Sequence, residues 1–320
     1  MKTFFFTLLL ILLYSCNKQN NKIDRAIKTK DSNETFLVIL GTVQDAGSPH
    51  IACKKDCCKS LWGKDNIDRQ VVSLGLIDFE NNLKFIFEAT PDFPTQTKKL
   101  KSYLPNDTRE TPNGIFLTHA HIGHYTGLMY LGKEAMNAKG ILVYAMPKML
   151  DYLSNNGPWS QLVSTNNILL SPIFNEQKVI LSNNLKVIPF IVPHRDEYSE
   201  TVGFKIIGPN KSAIFIPDID KWEKWDKSII EEISKVDYAF LDATFYDGEE
   251  LNNRDISQIP HPFVVESMEK FKNLSSNEKS KIYFIHLNHT NPLLNKESKQ
   301  YETVIKNGYK IASINDKFNL

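Results

Sequence analysis

The stretch "LTHAHIGHYTG" (117–127) places His119, His121 and His124 within six residues, directly behind an apolar run. Imidazole is a neutral nitrogen donor suited to zinc, manganese or iron, so three in one short loop are a ready metal grip. Further donors end other apolar runs: His194 closes "VIPFIVPH", Asp218 follows "AIFIP", and His286 lies near the end of "KIYFIH". A carboxylate among them can bridge two ions and balance their charge. Such a site makes a nucleophile from water, because a metal-held water loses its proton near neutral pH and the metal polarises the carbonyl or phosphoryl oxygen under attack.

A second cluster begins nearer the N-terminus. "GTVQDAGSPHIACKKDCC" puts Cys53, Cys57 and Cys58 within six residues. Three cysteines cannot pair evenly, and a bridge between the neighbours Cys57 and Cys58 is strained. Three thiolates and one imidazole would instead close a tetrahedral structural zinc site, with His289 of "HLNHTN" as the fourth ligand. A disulfide with one spare thiol and three uncommitted thiols are the alternatives. Asp45, in the same segment, is a general base, an extra metal ligand or a turn-forming residue.

Other residues are candidates for support. His261, between prolines in "IPHPF", is a rigid mount for contacting substrate or a surface histidine. Asp242 and Thr244 at a strand end can orient a ligating histidine. Arg195 and Lys221 can recognise an anion, and His50 reads as a loop residue.

β-rich apolar runs ending in short polar loops must position these groups. They fall at 35–42, 71–79, 83–89, 114–119, 140–145, 186–193, 201–208, 212–218, 237–244, 281–287 and 310–315. Helical stretches lie around 94–103, 124–137, 147–155, 221–235, 262–272 and 296–307. This is an α+β pattern of sheets covered by helices, with chemistry at the strand-end loops, and no short repeat or second linker divides 35–320 into more than one domain. Two weakly similar halves packed sheet on sheet also fit.

The 320 residues are 42% apolar with a formal charge of +1. That supports a sizeable core and gives no basic stripe for nucleic acid. The N-terminus departs from this: Lys2, an apolar stretch from Phe4 to Leu13, and "LYSC" ending at Cys16 read as an export signal over 1–16, too short to span a bilayer. The segment resembles a bacterial lipoprotein signal, which makes Cys16 the lipidated first residue and the cell envelope the location. Residues 17–34 read as a flexible tether.

The ordered set "HAHIGH", "VPHRDE", "FIPDID" and "IHLNH" resembles the metallo-β-lactamase-fold hydrolases, whose loop is HxHxDH followed by a later His, Asp and His. The resemblance covers 35–320. It implies a four-layer αβ/βα sandwich with its metal site at one edge of two sheets. It also implies His119, His121 and His194 on one ion, His124 and His286 on a second, and Asp218 bridging. The cysteine cluster and "FEATPDFPTQ", "FLDATFYDGEEL" and "HLNHTNPLL" resemble the branch containing the pyrroloquinoline-quinone biosynthesis B proteins and the cyclic phosphodiesterases of phosphonate metabolism.

Gly123 stands where the family has a ligating aspartate. Three readings follow: one active-site ion, a weak second ion completed by water or by Asp45, Asp92 or Asp220, or a non-catalytic binding protein. A Gly123→Asp change is expected to strengthen the second ion. The expected activity is metal-dependent hydrolysis of a small ester, lactone or phosphodiester, using one or two ions of zinc, manganese or iron. Its rivals are an iron-dependent oxidoreductase of the quinone-biosynthesis type and a binding lipoprotein.

Overall fold

Alternation along the first strand sets up the layers. In β1 (Phe36–Gly41) successive side chains point to opposite faces, yet every residue is buried, so both faces need cover. Leu37 and Ile39 enter one core with Leu74, Phe87, Phe204 and Phe215. Val38 and Leu40 enter another with Phe93, Leu100 and Leu128. The first core is sheet against sheet and the second is sheet against helix. The computed structural model describes residues 35–64, 68–251 and 258–320; the expected signal, the tether and Cys16 lie outside them.

The first sheet has the order β14-β1-β2-β3-β4-β5-β6. It comprises β1, β2 (Ser73–Asp78), β3 (Leu83–Phe87), β4 (Gly114–Phe116), β5 (Ile141–Ala145), β6 (Ile168–Pro172) and β14 (Lys317–Asn319). The second has the order β13-β12-β11-β10-β9-β8-β7. It is built from β7 (Val179–Ser182), β8 (Leu185–Ile191), β9 (Val202–Ile207), β10 (Ser212–Ile216), β11 (Tyr238–Asp242), β12 (Ile282–Ile285) and β13 (Lys310–Ile311). Each sheet begins antiparallel and turns parallel: β3 pairs parallel with β4, and β10 with β11. This is two similar halves packed sheet on sheet.

The described helices are α1 (Asp56–Lys59), α2 (Phe93–Ser102), α3 (Ile122–Tyr125), α4 (Pro147–Asn155), α5 (Trp159–Ser164), α6 (Ile229–Ser234), α7 (Val264–Lys270), α8 (Ser276–Lys279) and α9 (Lys299–Lys306). Phe93, Leu100, Met149, Leu153 and Leu162 carry α2, α4 and α5 onto the first sheet. Ile229, Ile233, Val264 and Val304 carry α6, α7 and α9 onto the second. Four layers result, helix–sheet–sheet–helix. The stretch expected to be helical over 124–137 is shorter: α3 is one turn, followed by a 3-10 segment, Thr126–Leu131.

One buried charge fastens the first sheet. Lys84 of β3 has no exposed surface and donates to Asp107, which also takes the guanidinium of Arg109. The pair staples the loop before β4 to the sheet.

Candidate metal centre

Parallel strands deliver their loops to one edge, and the candidate ligands follow strand ends there. β4 runs through Leu117 and Thr118 into His119, and α3 then presents His124. His194 follows β8, Asp218 follows β10, and His286 follows β12. His286 has φ +65° and Glu88, after β3, has φ +78°. That region is strained for a side-chain-bearing residue and recurs at functional sites.

One group of donors is His119, His121, His194 and Asp218, each offering an atom within 4.8 Å of the others. Asp218 Oδ1 lies 3.2 Å from His194 Nε2, and its Oδ2 lies 3.3 Å from His119 Nε2. His194 Nε2 and Asp218 Oδ1 are buried without a hydrogen-bond partner among the described residues. A cation between them would satisfy both buried atoms. Thr118 Oγ1, 2.8 Å from His119 Nδ1, fixes that ring. Burial, with the charge of His124 beside it, pushes His119 well below the usual histidine range, so it stays a neutral donor.

The second group is Asp45, His124, Asp218 and His286. Asp45 Oδ1 lies 2.9 Å from His124 Nε2 and 3.1 Å from His286 Nε2, and Asp218 Oδ2 is 3.7 Å from His124 Nε2. Burial opposes ionisation of Asp45, but His124 and His286 hold it well below the usual carboxylate range. Asp218 belongs to both groups, as a bridging carboxylate would.

Gly123 has a specific reason here. A Cβ at that position would lie 2.4 Å from Asp45 Cα, 2.5 Å from its Cβ and 2.7 Å from its Cγ. Asp45 occupies the space that a side chain at 123 would take. Asp92 instead accepts from the Val71 amide, and Asp220 pairs with Lys224, so neither carboxylate considered beside Asp45 reaches the second group. A side chain at 123, as in Gly123→Asp, would have to displace Asp45 before it could add to the second group.

Behind these donors lies a supporting set. Thr244 Oγ1 is 2.8 Å from His286 Nδ1 and donates to Asp242. His261 is mostly buried, with Nδ1 2.9 Å from Asp242 Oδ2 and 3.1 Å from Asp218 Oδ1, which places it in the site rather than on the surface. Burial works against its charge, but Asp242 and Asp218 raise it to about 10. Glu88, fully buried, has Oε2 3.3 Å from His124 Nδ1. Sequence reasoning missed it; its signal was a lone acid ending the apolar strand "LKFIFE". Also missed were Ser199, which accepts from the Ala120 amide, and Glu197, 3.3 Å from His121 Nε2. Arg195 reaches His121 at 3.5 Å, whereas Lys221 is engaged by Glu266 and lies over Phe263.

The structure brings the residues of the cysteine cluster together. Cys53, Cys57, Cys58 and His289 offer donors within 4.8 Å of one another. The Cys53 and Cys57 sulfurs are 3.8 Å apart, those of Cys57 and Cys58 3.9 Å, and all three cysteines are free. Tetrahedral zinc with Zn–S of about 2.3 Å sets sulfurs about 3.8 Å apart, whereas a disulfide needs about 2.05 Å. His50, read as a loop residue, stacks on His289 at 4.3 Å, and its amide donates to Cys58 Sγ.

Two mixed sheets between helix layers, with histidines and a shared aspartate at one edge, define a metallo-β-lactamase-fold protein. The chain belongs to the family described as the beta-lactamase superfamily domain, whose model matches residues 84–287. It is 22% identical over 308 residues to the coenzyme PQQ synthesis protein B of Methylorubrum extorquens strain PA1, covering 86% of this chain and 97% of that one. Among solved structures, the Zn(2+)-bound PqqB from Methylobacterium extorquens is similar with a TM-score of 0.72 at 20% identity, covering 89% of this chain and all of that one. A diphosphatase from the PhnP family follows, with a TM-score of 0.63 at 19% identity over 90% of this chain and 97% of that one. The matched span contains the histidines from 119 to 286 but neither Asp45, the cysteines nor His289.

Proposed function

We propose that the protein is a metal-dependent hydrolase of anionic phosphodiesters, with His119, His121, His194 and Asp218 holding one divalent ion and Asp45, His124, Asp218 and His286 a second. The observation that carries this is that Asp218 belongs to both of these four-donor groups, and also to a third with Asp242, His261 and His286. Such a pair of ions lowers the pKa of water and stabilises the attacking and leaving oxygens of an in-line displacement. Two dications and a protonated His261 against the carboxylates of Asp45, Asp218 and Asp242 would leave the edge positive, which favours an anionic substrate over a neutral ester or lactone.

The chain's own residues do the rest. Asp218 sets the spacing of the two groups, and Asp45 acts as a ligand rather than a free base, since one oxygen already faces two rings. Asp242 holds His261 by Nδ1, leaving Nε2 to meet a substrate oxygen. Arg195, beside His121 and half exposed, contributes an outer contact for the anion. A structural zinc is assigned to the thiolate cluster on its sulfur spacing, and the envelope location on the N-terminal sequence.

The test is elemental analysis of protein purified without added metal, together with hydrolysis of bis(p-nitrophenyl) phosphate and p-nitrophenyl acetate. Zinc or manganese with faster phosphodiester cleavage, abolished in His119→Ala, supports the reading. Bound iron with oxygen consumption would replace it with the oxidoreductase, and turnover that survives His119→Ala and His194→Ala would refute a metal mechanism.

A further inference from the structure

The two donor clusters are built on the same two pieces of chain. Residues 44–58 carry Asp45 at one end and Cys53, Cys57 and Cys58 at the other. Residues 286–289 carry His286 into the active-site group and His289 into the thiolate group. A metal among the thiolates therefore ties the loop bearing Asp45 to the segment bearing His286.

That tie matters because, beyond the backbone pairing of Thr42–Gln44 with Leu287, the loop has no apolar anchor. From Gln44 to Cys57 only Ser48 is buried, and Ile51 is 75% exposed. No side chain of this stretch belongs to the hydrophobic cores. Its other fastenings are polar or partial: Gln44 donates its amide to Leu287 and the Leu287 amide donates to Thr42, Asp45 itself faces His124 and His286, Arg69 donates to Ser48, and His50 stacks on His289. A ligand at position 123 would sit on α3, fixed by the helix itself. With Gly123 there instead, the carboxylate comes from a loop without a core of its own.

We propose that Cys53, Cys57, Cys58 and His289 are positioning residues for the second active-site ion. Metal held by the thiolates seats Asp45 over Gly123, and its loss withdraws Asp45 from the donor group. This rests on the donor assignment above, with Asp45 as a ligand. It goes beyond a structural zinc by making affinity at one site depend on occupancy of the other, with an effect expected in the range of about 10–100-fold typical of groups that orient a metal ligand.

The test uses the full chain, with Mn2+ as probe, titrated by electron paramagnetic resonance into wild type, Cys53→Ser and Cys57→Ser. The expected result is that the first Mn2+ binds as in wild type while the second weakens about ten-fold or more. In a Gly123→Asp background, where α3 supplies the carboxylate, Cys57→Ser is expected to leave the second Mn2+ unchanged. Asp45→Asn tests the underlying assignment separately: if it leaves the second Mn2+ unchanged, that assignment fails. If Asp45→Asn weakens the second ion and neither cysteine variant does, only the coupling fails. Loss of both ions in the cysteine variants also overturns the coupling, because the thiolates then hold the domain rather than one ligand.

Discussion

A single methyl group at position 123 is the sharpest probe of the active-site edge. In Gly123→Ala the new Cβ would stand 2.4–2.7 Å from three atoms of Asp45, two of them side-chain and one backbone. Carbon atoms pack at about 3.5–4.0 Å, so the shortfall is about 1 Å or more and cannot be absorbed by a rotamer change alone. If Asp45 stays, overpacking costs about 1–3 kcal/mol, which at about 2–4 °C per kcal/mol lowers the melting temperature measurably. If the loop yields, Asp45 moves away from His124 and His286 and the second donor group drops to three members. Mn2+ titration with thermal melting separates these outcomes. The expected result for Gly123→Ala is a weakened second ion with the first unchanged. Gly123→Asp makes the same intrusion but brings its own carboxylate, and is expected to recover the second ion without exceeding wild type. An alanine variant that binds both ions and melts as wild type does would refute the claim that Asp45 fills this space.

Glu88→Gln is expected to weaken the second ion by about 10–100-fold and the first ion less, because Glu88 faces the far nitrogen of His124 directly and reaches His119 only through Thr118; a loss at the first ion as large as that at the second would contradict it. Asp107→Ala, which leaves the ammonium of Lys84 buried and unpaired, is expected to cost about 3–5 kcal/mol in chemical denaturation, and a cost under 1 kcal/mol would sink the argument. The same pair sets an acid limit: burial raises the Asp107 carboxyl, but Lys84 and Arg109 outweigh it and bring it to about 2. Its folded value is therefore depressed, so about 2 kcal/mol of stability is present above pH 4 and disappears as pH falls toward 2. The acid limb of unfolding should flatten in Asp107→Asn. Cys16→Ser is expected to abolish incorporation of labelled palmitate in a bacterial host, and a wild type that incorporates none would remove the lipoprotein reading.

The strand ends were legible because two local rules coincide there. An apolar run such as "AIFIP" must be strand, and the polar residue that follows it must sit at the sheet edge; this places Asp218, His194 and His286 without knowledge of strand order. Runs failed as signals where one face is wet: β6 and β7 are mostly half-buried or exposed, so "ILLSP" and "VILS" carry no alternation, and β14 is three residues long. Glu88 was hidden for a related reason. An acid at the end of a strand reads as solvent-facing until its fully buried neighbour His124 is seen on it.

Gly123 and Asp45 show what a linear pattern leaves out. At the level of the motif a glycine in the fourth ligand's place reads as a missing donor, since spacing counts only residues within the loop. The quantity that decides the matter is the volume above the Gly123 Cα, and it is set by the path of a loop 78 positions earlier. Absence of a side chain and entry of a remote carboxylate are one packing event. That volume also makes a glycine there compatible with a charged centre: alanine would keep the motif equally empty of ligands yet close the space through which Asp45 arrives.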